Sequence, residues 1–421
     1  MLNNTPKILI ISSASPIKGP GVLALDTYQA LRDANVEVDL LTKYPVDNHP
    51  EFLYVINKDS ILRKVMQRLQ RLFFKPKSGY SFFYKKENTP PVPVRKVLSK
   101  ITKSYDLVYV LFWQGLLSFK TIDAIYDNLK CKFVFSCVDY SPMSGGCHHP
   151  CSCERYQYGC GECPAFDSHD KNDFTAWNVR YRNIIYDKVK PIIWGNSYMN
   201  QIFDNSFLLK KVKKEIAFPI INIDYFKPLN RSFLMKKHKI ITNRFVIFFG
   251  CQSLDDPRKG MDLLAEALKI FSHKLSEEQK KSILLIVAGK NFSKIQHLMP
   301  FESKDYGYVD ANVLPELYSL ADVFLCSSIH DAGPMMVDQS LCCGTPVVGF
   351  EMGSCLQVVK GCDTGYCAKI GDVNDFADGI YWIYGLSDSE RFDLKNRCRN
   401  FGIEHHSYNA FSKQLLKIIE E

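Results

Sequence analysis

The sequence predicts an α/β protein built of two doubly wound domains, each a parallel sheet covered by helices on both faces. Three observations predict it. Short continuous apolar runs alternate with segments whose apolar residues recur at helical spacing. The alternation runs twice, with a break near 218-FPIINIDYFKPLNRS-232, where prolines interrupt it and polar residues follow. The length, 421 residues, exceeds one ordinary core, since domains usually hold ~100–200 residues.

In the first half, 7-KILIISSA-14 reads as a buried strand, 22–34 as a helix with Leu23, Leu25, Tyr28, Ala30 and Leu31 at roughly helical spacing, and 36-VEVDLLT-42 as the next strand. Strands follow at 106-DLVYVLF-112, 132-KFVFSCV-138 and 191-PIIWGN-196. The second half repeats the theme: strand 245–250, helix 260–275, strand 283–289, helix 313–321, strand 322–328, helix 335–343 and strand 345–350. The expected division is 1–220, 221–405 and a last helix over 406–421 that packs back on the first domain. Open α/β sheets bind ligands beyond the carboxyl ends of their strands, so two such domains face each other across a cleft.

An apolar share of 46% and a charged share of 23% suit a water-soluble globular chain. No run approaches the ~18 apolar residues of a membrane span, and 8-ILII-11 is too short for a secretory signal, so the chain is expected in the cytoplasm. Fifteen cysteines, an odd number, in a reducing compartment argue against a disulfide framework. Those inside apolar runs (Cys137, Cys326, Cys342 and Cys343) read as small core hydrophobes.

The net charge of +8 is concentrated: residues 58–104 alone hold thirteen Lys/Arg against two Asp/Glu. Within them Ile61, Leu62, Val65, Met66, Leu69, Leu72 and Phe73 share one helical face, Arg63, Lys64, Arg68, Arg71 and Lys75 fall largely elsewhere, and the aromatic run 80-YSFFYKK-86 follows. A basic amphipathic helix followed by exposed aromatics suits an anionic membrane surface. An ordinary core-facing helix with a basic wet side accounts for it equally well. No nucleic-acid module is present, so nucleic acid is not an expected partner.

Two segments carry the chemistry. In 253-SLDDPRKGMDLLAEAL-268, Arg258 and Lys259 stand at the start of a helix, where the dipole and unpaired N–H groups favour an anion, and two cations there suit a diphosphate. In 327-SSIHDAGPMMVDQSLCCGTPVVGF-350, a loop with His330 and Asp331 leads through Gly333 to Pro334, a residue suited to the first helical position. The N–H groups of Met335 and Met336 then face the same anion, and Gln339 is placed to hydrogen-bond a ribose. The plainer account makes Asp331 an N-cap and the methionines core. At the first strand–helix turn, 19-GPG-21 offers backbone N–H groups to a phosphate or sugar oxygen, or is simply a tight turn.

The block 327–350, with 307-GYVDANVLPELYSLADVFLCSS-328 before it, closely resembles retaining glycosyltransferases of the GT-B fold, family 4, which show an acidic residue, seven residues, a Glu, then a run like ACGTPVV. The resemblance extends over nearly the whole chain and includes the RKG turn, IINIDYFKP and 351-EMGSCLQVVKGCDTGYCA-368. It implies a nucleotide-diphosphate-sugar donor in the second domain. Lys259, with Arg258, would bind the diphosphate, Gly307 and Val309 frame the base through the backbone, Asp331 meet the sugar hydroxyls, Met335 and Met336 offer N–H groups to the phosphates, and Gln339 take the ribose. The acceptor would lie over the first domain near Gly19, Gly21, Trp113 and Asp139, with Asp139 counted with Asp331 among the catalytic residues. No cofactor is required. Transfer would proceed with retention by same-face attack, to a glycan or lipid-linked glycan acceptor in capsule, exopolysaccharide or O-antigen synthesis, at the inner face of the membrane. The sequence departs from the pattern at Gln339 in place of Glu, at Val138 where many relatives carry His, and at Ser253 where some carry a second phosphate-binding Arg.

The stretch 145-GGCHHPCSCERYQYGCGECP-164 resembles a polysaccharide-assembly subgroup with the pattern GGC-H-aromatic-x3-C-x6-C-x2-C-P. Cys147, Cys153, Cys160 and Cys163 match it and Cys151 is extra. Four thiolates in a loop with few apolar residues suit a structural tetrahedral zinc; a disulfide pair and reduced thiols are the other two readings, and His148 and His149 are alternative ligands. A closed four-cysteine site leaves no open coordination position, so catalysis is not expected from it. Two functions compete with transfer. One is a catalytically weak donor-binding subunit partnering an active transferase, motivated by Gln339 and Val138. The other is a nicotinamide-dependent oxidoreductase, which the absence of GxGxxG disfavours.

Overall fold

The computed structural model describes residues 5–59, 68–69, 75–77, 80, 82, 86–241 and 243–421. Most of the basic amphipathic segment, including Ile61, Leu62, Val65, Met66, Leu72 and Phe73, lies outside the described residues, and with it the membrane-surface reading of 58–104. Of the aromatics expected to be exposed behind it, Phe82 is instead packed edge-on against Phe166 and Phe174 (ring centroids 4.9 and 6.2 Å).

The chain divides into two compact units. The first comprises Met1–Gly195, Met199–Ala217 and Phe411–Glu421, the second Asn196–Tyr198 and Phe218–Ala410.

Unit 1 is a seven-stranded sheet in the order β3-β2-β1-β4-β5-β6-β7. Its strands are β1 (Lys7–Ser12), β2 (Glu37–Thr42), β3 (Leu53–Tyr54), β4 (Leu107–Val110), β5 (Lys132–Ser136), β6 (Ile192–Gly195) and β7 (Lys214–Ile216). Every pairing is parallel. The continuous apolar runs seen in the sequence are the central strands: Ile8 to Ile11 have no exposed surface, as helices on both faces require. The helix Phe174–Val189, not anticipated from the sequence, starts on Asp173, whose carboxylate accepts from Thr175 N and Ala176 N. The last helix, Tyr408–Glu420, packs Phe411 against Tyr109 and Trp194 (both 5.7 Å), and Ser412 Oγ donates to Ala30 O (2.8 Å).

Unit 2 is a six-stranded parallel sheet in the order β10-β9-β8-β11-β12-β13. Its strands are β8 (Phe245–Ser253), β9 (Ile283–Lys290), β10 (Ser303–Asp305), β11 (Val323–Cys326), β12 (Val347–Phe350) and β13 (Gly365–Ala368). Alternate residues of β8 and β9 enter two separate cores. Val246, Phe248, Leu284 and Ile286 face one layer, while Phe245, Ile247, Phe249, Ile283, Leu285 and Val287 face the other.

The elements the sequence did not reveal include all four sheet edges, β3, β7, β10 and β13. They are two to four residues long, and runs such as 303-SKD-305 carry no apolar signal, because an edge strand is covered on fewer sides. The helix expected over 335–343 starts at Met335, but Pro334 holds the N-cap position with ψ 102°, outside the helical range, and not the first helical position.

Candidate active site

Where strand order reverses in an open parallel sheet, the loops leaving the two central strands diverge and open a crevice at their carboxyl ends. In unit 2 the reversal lies between β8 and β11. The loop after β8 carries Arg258 and Lys259, and the loop after β11 carries Asp331, so the fold brings the two chemistry-bearing segments of the sequence to one place.

The first loop is a tight turn, Pro257–Lys259, capped by Asp256, whose carboxylate accepts from Arg258 N (3.0 Å). Gly260 closes it at φ +62°, and a Cβ there would stand 2.2 Å from Ser327 O, so glycine is needed both for the turn and for the approach of the second loop. Ser327 Oγ donates to Lys259 O (2.8 Å), and Arg258 O accepts from Ile329 N (2.9 Å) and His330 N (3.3 Å). The two loops are thereby tied backbone to backbone.

Lys259 Nζ is paired with the carboxylate of Asp331, each side chain keeping under a fifth of its surface (18% and 16%). Burial works against the Lys259 charge, but the charge and hydrogen bond of Asp331 outweigh it and hold the ammonium above its ordinary pKa. Asp331 Oδ1 also accepts from Gly333 N (3.2 Å), so the aspartate turns its own loop and is not the cap of the following helix. Arg258 folds back on Asp256, with Nη2 2.6 Å from Oδ2. Burial, then the Arg258 charge, lower the pKa of His330 against the pull of Asp331 and favour a neutral imidazole.

Met335 and Met336 are the first two residues of the helix Met335–Cys342, where N–H groups have no acceptor within the helix. Their side chains pack, partly buried, against the core, so what they present is backbone. Gln339, one turn on and half-buried, accepts at Oε1 from the buried Tyr318 hydroxyl (3.3 Å). Gly307 has a left-handed backbone (φ +62°), but its N–H donates to Asp305 Oδ1 (2.8 Å) and its C=O accepts from Gly289 N (2.7 Å). Val309 is partly buried against the core.

Sequence reasoning overlooked Asp256 and Ser327, which set the two loops. The acid directly before Pro257 was a readable N-cap signal. It also overlooked Asp338, which is fully buried, accepts from Ser354 Oγ (2.8 Å) and lies 3.4 Å from His406 Nε2. Burial raises its carboxyl to about 7 and lowers the His406 imidazole to about 4.

In unit 1 the strand order reverses between β1 and β4. Gly19 and Gly21 follow β1: Gly19 is exposed, while Gly21 is buried, and a Cβ on it would stand 2.1 Å from Ser15 O. Trp113 follows β4, but it is 2% exposed, with its ring against Phe119 and Phe135 (5.1 and 5.2 Å). The indole thus sits in the core of unit 1, since a large ring after a central strand is drawn inward. Asp139 follows β5 and is 2% exposed. Its carboxylate accepts from Ser141 N (2.7 Å) and Gln114 Nε2 (3.2 Å) and lies 2.8 Å from His148 Nδ1. Burial would raise its pKa, but His148 and Ser141 outweigh that and hold it low. Asp139 thus anchors the cysteine-rich loop through His148.

Cys147, Cys153, Cys160 and Cys163 line one cavity of about 20 Å³ together with Tyr80, Phe82 and Tyr156. All are free thiols. Burial pushes Cys147 up to about 12 and Cys163 to about 11, and raises Cys160 as well. Among the described residues no group of three or more His, Cys, Asp or Glu side chains is placed to hold a metal ion. The loop is tied to the helix Phe174–Val189. Asn178 Nδ2 donates to Gly145 O (2.8 Å), Arg182 Nη1 to Ser144 O (2.6 Å), and Cys163 N and Gly161 N donate to Asp173 Oδ2 (2.9 Å) and Thr175 Oγ1 (3.1 Å).

Residues 230–405 match the family described as Glycosyl transferases group 1. N-acetyl-alpha-D-glucosaminyl L-malate synthase of Bacillus anthracis is 26% identical over 120 residues, 28% of this chain and 31% of that protein, so the alignment spans about a third of that relative's length. The fold is similar to HepE of Anabaena in complex with UDP-glucose (TM-score 0.62, 14% identity, 98% of this chain and 99% of that one). It is equally similar to WaaG, a glycosyltransferase involved in lipopolysaccharide biosynthesis (TM-score 0.62, 14% identity, 98% and 99%). With two parallel Rossmann-like sheets and likenesses that span whole chains, this protein has the GT-B fold, and its residues 230–405 match the group 1 glycosyl transferases.

Proposed function

We propose that the chain transfers a sugar, with retention, from a nucleotide-diphosphate-sugar to a glycan or lipid-linked glycan acceptor in cell-surface polysaccharide assembly. The observation that carries this reading is the pairing of Lys259 with Asp331 beside the first N–H groups of the helix Met335–Cys342. Breaking a sugar–phosphate bond leaves negative charge on the diphosphate. A fixed ammonium and pre-aimed N–H dipoles stabilise that charge without reorganising at the moment of reaction. Arg258, released from Asp256, would add a second cation, and Gln339 would take a ribose hydroxyl. Asp331, drawn off Lys259 by the incoming diphosphate, would meet the sugar hydroxyls. The acceptor hydroxyl would attack on the face the leaving phosphate vacates, handing its proton to that phosphate. HepE is described with UDP-glucose and WaaG with lipopolysaccharide synthesis, which supports a uridine donor as first choice and a surface glycan as product.

The test is thermal stabilisation by a panel of nucleotide-sugars and free nucleotides, with Lys259→Ala as control, followed by a transfer assay with the stabilising donor. A shift with one nucleotide, lost in Lys259→Ala, supports the donor site. Gln339 favours the second reading, a weak donor-binding subunit, and measured turnover with any nucleotide-sugar would end it.

A further inference from the structure

At the opposite end of the second sheet the chain forms an open recess of about 400 Å³, lined by Asp363, Gly365, Tyr366, Trp382 and Arg397. That volume falls in the ~300–1,000 Å³ range of small-molecule pockets. Asp363 and Gly365 enter β13 from its amino end, whereas Lys259, Asp331 and Met335 follow the carboxyl ends of β8 and β11. Because all these strands run parallel, the recess lies away from the donor loops and is no part of that site.

The recess is built around two aromatic rings. Tyr366 and Trp382 form a wedge, with centroids 6.2 Å apart and planes at 45°. Tyr366 is seated on Gly379, where a Cβ would stand 2.4 Å from the ring, and its hydroxyl donates to Asp375 Oδ1 (2.6 Å). Asp375 is fixed in turn by Lys369 N (2.8 Å). Trp382, on the helix Val373–Gly385, is 41% exposed, whereas Trp113 and Trp194 are each 2% exposed. At the rim Arg397 Nε donates to Asp363 O (3.3 Å). Among the described residues neither the Asp363 carboxylate nor the terminal guanidinium nitrogens of Arg397 make a hydrogen bond or ion pair.

We propose that this recess is a secondary saccharide-binding site for a neutral glycan. An exposed indole and a phenol ring give flat apolar surface for the C–H face of a pyranose. A carboxylate and a guanidinium beside them accept from and donate to its hydroxyls. The charge balance selects the ligand class. With one carboxylate and one guanidinium the recess carries no net charge to favour an anion or a cation, whereas an uncharged polyhydroxyl can hydrogen-bond to both. Such a site would hold a growing or acceptor glycan to the enzyme apart from the bond being made. The proposal stands on these side chains and does not depend on the transfer reading.

The experiment is titration of the full-length chain with neutral di- to tetrasaccharides of glucose, galactose, mannose and N-acetylglucosamine. Binding is followed by calorimetry and by indole fluorescence, in wild type, Trp382→Ala and Arg397→Ala. The expected result is saturable binding of at least one oligosaccharide with a change in indole emission, weakened tenfold or more by Trp382→Ala and several-fold by Arg397→Ala. The thermal shift given by UDP should be the same in all three, which shows that the variants fold and keeps the two sites distinct. Absence of binding across the panel, or binding unchanged in Trp382→Ala, overturns the proposal. So does capture of a peptide or protein on this surface by a chain that ignores every saccharide. Loss of the UDP shift in wild type alone would fall on the donor-site reading and leave this one standing.

Discussion

Lys259 and Asp331, seventy-two positions apart in the sequence, are paired in a spot where neither side chain keeps a fifth of its surface. The ammonium expected to hold a diphosphate is thus already neutralised by the carboxylate expected to meet the sugar. A diphosphate must compete with Asp331 for Lys259, and the displaced carboxylate then becomes available to the donor. Asp331→Asn should therefore leave UDP affinity equal or higher while lowering transfer at least tenfold, whereas Lys259→Ala should lose both. Calorimetric UDP affinity alongside turnover checks this; weaker UDP binding in Asp331→Asn would refute the competition.

Gly260 is the contact point of the two loops of the proposed donor site. An alanine there must adopt φ +62°, at about 1–2 kcal/mol, and its Cβ would collide with Ser327 O at 2.2 Å. Gly260→Ala should lower stability by roughly 2 kcal/mol or more and abolish UDP stabilisation. Denaturant melts give the first and thermal shifts the second. A variant as stable as wild type that still binds UDP would show that the loops can separate freely.

Glu87 and Arg182 form a buried ion pair in unit 1, exposed by 0% and 1%. Arg182 Nε donates to Glu87 Oε1 (2.8 Å), and Glu87 Oε2 accepts from Phe119 N (3.0 Å). Removing one partner strands the other charge in the core, at a cost of about 3–5 kcal/mol. Glu87→Ala should destabilise by that amount in urea, and should also loosen the cysteine loop that Arg182 holds at Ser144 O, increasing the reactivity of its thiols toward an aromatic disulfide reagent. Little loss of stability would mean that water reaches the pair.

Asp338 gives a pH dependence. Its carboxyl is raised from the ordinary value of 3.8 to about 7 in the folded chain, so its contribution to stability is complete at low pH and is lost as pH rises through about 7. His406, lowered to about 4, acts in the opposite sense, contributing at neutral pH and losing as pH falls toward 4. The two slopes largely cancel between pH 4 and 7 in wild type. Asp338→Asn can still accept from Ser354 and donate to His406 Nε2, but it no longer titrates. Relative to wild type it should gain a few kcal/mol of stability as pH rises from 4 to 7 and then level off. Parallel denaturation curves across that range check it, and a constant difference between the two proteins would remove Asp338 from the titration.

The sequence by itself determined the α/β class, the central strands, the doubling of the pattern and the two segments proposed to hold a donor. Each of these is local: a buried parallel strand is a continuous apolar run, and a turn suited to a phosphate is a few glycines and cations before a helix. The edge strands were illegible because β3, β7, β10 and β13 exist only through the neighbour they pair with. Trp113 shows the same limit from the other side, since nothing in 112-FWQG-115 tells that the indole turns inward onto Phe119 and Phe135. The cysteine-rich loop is tied to a helix that begins eleven residues after Cys163, and no spacing rule foresees that Asn178 and Arg182 take up the loop's carbonyls. Only the tertiary structure decided that Lys259 rests on Asp331, that Asp338 meets His406, and that Tyr366 and Trp382 open beside Asp363 and Arg397. The physical reason is the same in each case. Ion pairs, proton sharing and ring wedges are set by side-chain distances of a few ångström between segments that the chain brings together only when its sheet has closed.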